Sequence, residues 1–276
     1  MNSRYITITS IPGERLGSQV GNFAMLFLIA QKTGHKVGIY NSFLNVGCGQ
    51  KLFAEAFDSP VEIISDDIMH SASPLYWETT SNINWPKQEG IFELNSDTNY
   101  NVCDGVVHGN FLYYLNSQSF EYLRQNVFRF KQKIQADSHQ YFNTIKSQNK
   151  KIVSLHVRRT DHCTLSPDYQ KEAIKLFDPE EYKILVLSDD IGFCMGEFKE
   201  CLANYEVAYS NNTGLVDMHL MTLCDANIAA DSSFSFWGSF LNNIDREMIM
   251  PRSLLSTIMD LDEVLTPLKK FRTLSW

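Results

Sequence analysis

Two adjacent arginines and a carboxylate, Arg158, Arg159 and Asp161, follow directly on the run Ile152-Val153-Ser154-Leu155-His156-Val157. A run of that composition reads as a strand covered on both faces. Ligands of open α/β sheets bind beyond the carboxyl ends of their strands, where these side chains project. Two guanidiniums there suit a doubly charged oxyanion, because the planar fork of arginine matches phosphate with parallel hydrogen bonds. Adjacent residues of an extended chain face opposite ways, so one arginine can reach the ligand while the other braces the loop. The plainer alternative is ordinary ion pairing with surface carboxylates. The expectation is a phosphate or pyrophosphate site at Arg158 and Arg159.

Three further loops carry residues that could serve such a ligand. Gly13-Glu14-Arg15-Leu16-Gly17-Ser18-Gln19 is a glycine-containing turn at a helix start, where backbone amides favour an anion. It is not G-x-G-x-x-G, and no acidic residue ends the next strand as a dinucleotide fold requires. Ser188-Asp189-Asp190 ends a second strand; its side chains either cap the following helix or accept hydrogen bonds from a base or a ribose. Ala230-Asp231-Ser232-Ser233-Phe234 opens an aromatic-rich helix that Ser232 or Ser233 would cap and whose free amides would make a second phosphate contact. Phe234, Phe236 and Trp237 are individually more typical of a core than of a ligand contact. Nucleophilic catalysis has no support, since there is no G-x-S-x-G and no histidine is tied by spacing to a serine or cysteine. No third ligand accompanies Asp189 and Asp190, so a metal is not expected there.

The elements that must position these loops alternate. Tyr5–Ile11 reads as a strand, Val20–Thr33 as an apolar helix closed by Gly34, and Lys36–Tyr40 as a second strand, forming a βαβ unit. Lys51–Phe57 looks helical and Val61–Ile64 strand-like, while the tract Ser71–Asn101, with Trp77 and Trp85, has no clear period. Val106–Tyr114 is apolar, and helical patterning runs from Ser119 to about Ser147. From Ile152 onward, strands at 152–157, 183–187, 206–209, 227–230 and 248–250 alternate with helices near 168–177, 193–202, 215–224 and 234–242. That rhythm predicts a doubly wound parallel sheet. The linker Gln148–Lys151 is the predicted boundary, giving an N-terminal α/β domain over 1–147 and a C-terminal Rossmann-like domain over 148–276. The overall expectation is two α/β domains facing a cleft.

Composition narrows the class. A net charge of −8 over 276 residues argues against a nucleic-acid surface. The six cysteines lack C-x-x-C or Cys/His metal spacing, so reduced thiols in a cytosolic protein are expected. No signal-peptide pattern opens the chain, and the longest apolar stretch, Phe23–Ala30, falls short of the ~20 residues a spanning helix needs.

The loops together resemble a known family. Arg15-Leu16-Gly17-Ser18-Gln19 is similar to the G-R-L-G-N-Q turn of the α-1,2-fucosyltransferases of glycosyltransferase family 11. His156-Val157-Arg158-Arg159-Thr160-Asp161 resembles their H-x-R-R-G-D motif, and Leu187-Ser188-Asp189-Asp190 their F-S-D-D. The block Leu220–Cys224 with Asn227–Gly238 resembles L-M-S-L-C followed by N-I-I-A-N-S-S-F-S-W-W-G. The resemblance implies a GT-B architecture, GDP-β-L-fucose as donor, inverting transfer without an essential metal or cofactor, and a galactose-terminated glycan as acceptor. It further implies assembly of a surface polysaccharide or O-antigen in the cytoplasm, with peripheral association at the inner membrane face and the oligomeric state left open. Carried onto matching positions, the donor site comprises Arg15, Gly17, Gln19, His156, Arg158, Arg159, Ser188, Asp189, Asp190, Asp231, Ser232, Ser233 and Phe234. Arg158 would hold the pyrophosphate. Asp161 is the candidate base, with His162 and Glu14 behind it, and a simple Asp161–Arg159 pair is the alternative. Three positions depart from the pattern: Ser18 for Asn, Thr160 for Gly, and Asp231 for Asn, which sets a negative charge near a phosphate site.

Overall fold

The computed structural model describes residues 4–8, 15–45, 50–76, 98–103, 121–160, 165–242, 246–251 and 271–274. They divide into two units, Met1–Arg129 and Phe130–Trp276. In the first, strand β1 (Tyr5–Ile8) leads to helix α1 (Leu16–Thr33), which returns the chain to β2 (Lys36–Tyr40). Among the described residues of α1, all from Leu16 to Ala30 except Ser18 are buried. A helix apolar on every side belongs inside a domain. Gly34 ends it in the left-handed region at φ 74°, its N–H bonded to the Ala30 carbonyl at 2.9 Å.

The short helices α2 (Asn41–Asn45), α3 (Gln50–Ala56) and α4 (Asp67–Ser71) and the strands β3 (Glu62–Ile64), β4 (Ser73–Tyr76) and β5 (Tyr100–Cys103) complete the described part of this unit. The sheet order is β3-β2-β1-β5-β4, with every pair parallel. Strands β4 and β5 fall within or at the end of the tract that shows no period in the sequence. The rest of that tract, with Trp77 and Trp85, and the Val106–Tyr114 segment lie outside the described residues.

The helical pattern expected over Ser119–Ser147 is broken. A short π-helical turn, Leu123–Val127, stops at Phe128, and helix α5 (Gln132–Ile145) starts afresh. Phe128 packs on Phe53 and Phe57 of the first unit, whereas Phe130 packs on His219 of the second. The division therefore falls upstream of the expected 147/148 boundary, because α5 packs on a helix of the second unit: Ser138 Oγ donates to the Val216 carbonyl.

In the second unit β6 (Lys151–Val157), α6 (Pro167–Ile174), β7 (Tyr182–Ser188), α7 (Ile191–Glu197), β8 (Glu206–Tyr209), α8 (Gly214–Leu223), β9 (Ala226–Ile228), α9 (Ser233–Phe240) and β10 (Glu247–Pro251) follow the predicted alternation. A last strand, β11 (Phe271–Leu274), is not expected from the sequence. The sheet runs β11-β10-β9-β6-β7-β8, all parallel. Both faces are covered. Val153, Leu155 and Val157 pack with Ile184, Val186, Tyr169, Ala173 and Cys194 on one side. Ile152, Leu185 and Leu187 pack with Ile145, Val216, Leu220 and Met221 on the other. Each such side chain contributes about 1.5–3 kcal/mol when fully buried.

Helices α8 and α9 approach closely through Gly238, where an added Cβ would lie 2.5 Å from Met221 Sδ and 3.3 Å from Met221 Cβ. Alanine gains about 1 kcal/mol in helix propensity, but overpacking a rigid site costs about 1–3 kcal/mol. Gly238→Ala therefore lowers stability by about 1 kcal/mol, read as a shift of the urea midpoint at unchanged slope.

Candidate active site

Read from β8 to β11, the second sheet has its strands in the sequence order third, second, first, fourth, fifth, sixth. The order reverses between β6 and β9, and a doubly wound sheet binds ligands beyond the strand ends at that reversal. The end of β6 delivers Arg158 and Arg159, and the end of β9 delivers Asp231, Ser232 and Ser233. Sequence-distant loops are thus neighbours at one edge because their strands pair, with Leu155 opposite Ile228.

Below that edge a buried polar network ties the two strands. Asn227 Nδ2 donates to Ser154 Oγ at 2.6 Å and to the Met221 carbonyl at 2.9 Å. Asn242 Nδ2 donates to Asn227 Oδ1 and to the Met221 and Cys224 carbonyls at 2.9–3.1 Å. An asparagine inside an apolar strand is the sequence signal for this network, and sequence reasoning missed it.

The two arginines diverge. Arg158 Nη1 lies 2.7 Å from Asp189 Oδ2 in an ion pair whose side chains are about four-fifths buried. Arg159 lays its guanidinium over the Phe193 ring at 3.9 Å, a stacked contact unseen in the sequence. Asp189 Oδ1 accepts from the Arg159 N–H at 2.9 Å. Its Oδ2 also accepts from Thr160 Oγ1 at 2.6 Å and the Thr160 N–H at 3.3 Å. Partial burial opposes charge on Asp189. The Thr160 hydroxyl, the Arg159 amide, the Arg158 charge and the Thr160 amide outweigh it and hold the carboxyl below its ordinary range. The side chain expected to accept from a base or ribose is therefore committed to the arginine loop. Asp190 caps α7, accepting from the Phe193 N–H at 2.9 Å, and Ser188 Oγ accepts from the Asp190 N–H at 3.0 Å. Asp190 thus takes the capping role at this loop.

On the other flank Ser232 caps α9 with extended backbone, its Oγ accepting from the Phe234 N–H at 3.3 Å. Ser235 Oγ donates back to the Ala230 carbonyl at 3.0 Å, which fixes the entry of the chain into the helix. Asp231, Ser232, Ser233 and Phe234 are half-buried, while Phe236, Trp237 and Phe240 pack in the core. His156 reaches under this helix: its ring centroid lies 5.2 Å from that of Phe234, and 6% of the residue is exposed. Burial, then the Arg158 charge, pushes its pKa down to about 4, so it is a neutral ring at pH 7. His156 is a floor beneath the loops, buried against Phe234.

The remaining expected site residues belong to the first unit or lie outside the described residues. Arg15 is exposed at the N-cap position of α1. Gly17 is buried in its first turn. Gln19 has no exposed surface, and its Oε1 accepts from the Phe53 N–H at 2.8 Å. One helical turn swings Gln19 to the inner face of α1, where it ties α1 to α3. Asp161, His162, Gly13 and Glu14 lie outside the described residues.

One buried ionisable group lies away from these loops. Ser210, just past β8, donates to Asp217 of α8 at 2.5 Å. Burial raises the Asp217 pKa to about 7 against the opposing Ser210 bond. Between pH about 4 and about 7 the unfolded chain holds this group ionised while the fold keeps it protonated. Its contribution to stability is therefore full below about 4 and is lost as pH rises through about 7. His156 and His219, both pushed down to about 4 by burial, act oppositely and cost stability as pH falls from about 6.5. Asp217→Asn isolates the first effect. Its stability relative to the unsubstituted protein should rise by a few kcal/mol (roughly) between pH 4.5 and pH 8, read by urea denaturation at both.

Residues 63–258, well over half the chain, match the profile of glycosyl transferase family 11. The chain belongs to that family. The matched span holds the Arg158, Ser188–Asp190 and Asp231–Phe234 loops and begins after the Arg15–Gln19 turn. Among similar proteins is the O-antigen biosynthesis glycosyltransferase WbnK of Escherichia coli, 34% identical over 131 residues, which are 42% of this chain and 43% of that one. An alpha-1,2-colitosyltransferase of Escherichia coli is 30% identical over 126 residues, 41% of this chain and 43% of the relative. The chain thus spans less than half the length of either relative. The crystal structure of fucosyltransferase NodZ from Bradyrhizobium superposes with a TM-score of 0.57 at 16% identity, covering 88% of this chain and 94% of that one. That likeness shows the fold: this family 11 protein is an α/β chain of the GT-B type. Among its described residues, no helix is long and apolar enough to cross a membrane.

Proposed function

We propose that this family 11 protein transfers L-fucose from GDP-β-L-fucose, with inversion and without an essential metal, to O2 of a terminal galactose on a glycan. The observation that carries the reading is the pairing of β6 with β9. It sets an arginine loop and a capped helix start on either side of the topological reversal in one sheet. In this reading the diphosphate lies between Arg158 and the α9 amide at Ser233. The acceptor oxygen bonds to the anomeric carbon as the bond from that carbon to the β-phosphate oxygen breaks. The acceptor proton passes to a base, for which Asp161 is the candidate, and GDP departs with the electron pair. Negative charge grows on the β-phosphate during this step, so Arg158 stabilises the transition state more than the ground state. One preorganised donor of this kind contributes ~3–4 kcal/mol.

Support for the donor comes from the fold neighbours, which include NodZ soaked with GDP-fucose. Support for a polysaccharide or O-antigen acceptor comes from the name of the 34%-identical relative. A second reading, transfer of a different sugar from its GDP conjugate, is favoured by the relative named for colitosyl transfer. The test is incubation with GDP-fucose, GDP-colitose and GDP-mannose across a β-galactoside panel, followed by linkage analysis. Fucosylation at O2 of galactose is the expected product. Transfer only from another GDP-sugar selects the second reading, and GDP binding with no transfer from any donor removes both.

A further inference from the structure

Asp189 gathers four donors onto one carboxylate: Arg158 Nη1, the Arg159 and Thr160 amides, and the Thr160 hydroxyl. Val157 and Ser188 are register partners at the ends of β6 and β7, so the carboxylate stands directly beside the arginine loop. An arginine side chain has many rotamers, and ordering it when a ligand arrives subtracts from affinity. Here the ordering is done by a neighbour that is itself held by the backbone.

We propose that Asp189 is a positioning residue that acts on the ligand only through Arg158, with the Thr160 hydroxyl as its accessory. The inference rests on the reading of Arg158 as a diphosphate contact. It also gives a purpose to Thr160, which stands where the family pattern resembled by this loop has glycine and so no hydroxyl. Two opposing effects follow from the geometry. Asp189 fixes the guanidinium, which favours binding; its negative charge near a phosphate site opposes it. A residue that touches the base or ribose directly would show neither dependence on Arg158.

A double-substitution cycle read by GDP affinity separates these cases, because coupling appears only between residues that share an interaction. Arg158→Ala should weaken GDP binding about 30-fold, within the range of hydrogen bonds to charged groups, and Asp189→Asn about 5–10-fold, the size of an ordinary hydrogen bond. In the Arg158→Ala background only the repulsion from Asp189 remains. There Asp189→Asn should leave GDP affinity unchanged or tighten it. The same loss in both backgrounds means direct contact with the nucleotide and overturns the inference while leaving the donor reading intact. Wild-type GDP affinity in Arg158→Ala overturns both. Should Asp189→Asn fail to fold, Thr160→Val replaces it in the cycle: a loss of about 2–3-fold that vanishes once Arg158 is alanine, with Thr160→Ser restoring affinity. A Thr160→Val loss that persists without Arg158 overturns the inference.

Discussion

Arg158→Lys lowers turnover with GDP-fucose by about 10²-fold and leaves the melting temperature within a few degrees. Lysine can still reach Asp189, so the ion pair that orders the loop survives in a simpler form. What disappears is the rigid fork, because an ammonium is a point charge that cannot present two parallel N–H bonds to a phosphate. The loss should fall mainly on the chemical step, since the charge to be stabilised grows as the leaving group departs. Steady-state kinetics with GDP-fucose and a galactoside checks this. Near-normal turnover would remove Arg158 from the mechanism.

The second large effect is on the fold beneath the loops. Asn227→Ala deletes the bonds to Ser154, Asn242 and the Met221 carbonyl, leaving polar atoms buried between β6, β9 and α8. Each stranded group costs about 1–3 kcal/mol, and a connected network loses more than one bond at a time. The expected loss is about 3 kcal/mol, or roughly 10 °C in melting temperature for a unit of this size. Calorimetry measures it directly. The same variant should bind GDP more weakly at a temperature where it remains folded, because the network registers one flank of the site against the other. A melting temperature unchanged within 2 °C (roughly the effect of half a kcal/mol) would mean that the network is replaced by water at little cost.

The second unit is legible in the sequence because its strands are covered on both faces. Ile184–Leu187 is then a continuous apolar run and Ile152–Val157 one interrupted only by Ser154 and His156, and helices between them must alternate sides. The first unit is less so. Its β5 is paired on both sides yet reads Tyr-Asn-Val-Cys, too short and too polar to stand out. The break at Phe128 is hidden because the apolar residues around it serve two different cores, so the helical period continues across a boundary the backbone does not respect. At the site, Arg158 stands out because a fixed charge directly after a buried strand needs an anionic partner close by. The burial of Gln19 and His156 is hidden in the sequence for one shared reason. A motif gives positions along the chain, but whether a side chain points to solvent or to core is decided by the helix turn or strand face beneath it. Phe193 and the Asp189 anchor involve β7 and α7, and only the strand pairing brings them to the arginines.

A crystal structure with GDP bound tests the central claim most directly. The account predicts the diphosphate beyond the ends of β6 and β9, with phosphate oxygens within about 3 Å of Arg158 and of the Ser233 amide that opens α9. A nucleotide bound elsewhere, with Arg158 contacting Asp189 but no phosphate, would contradict it.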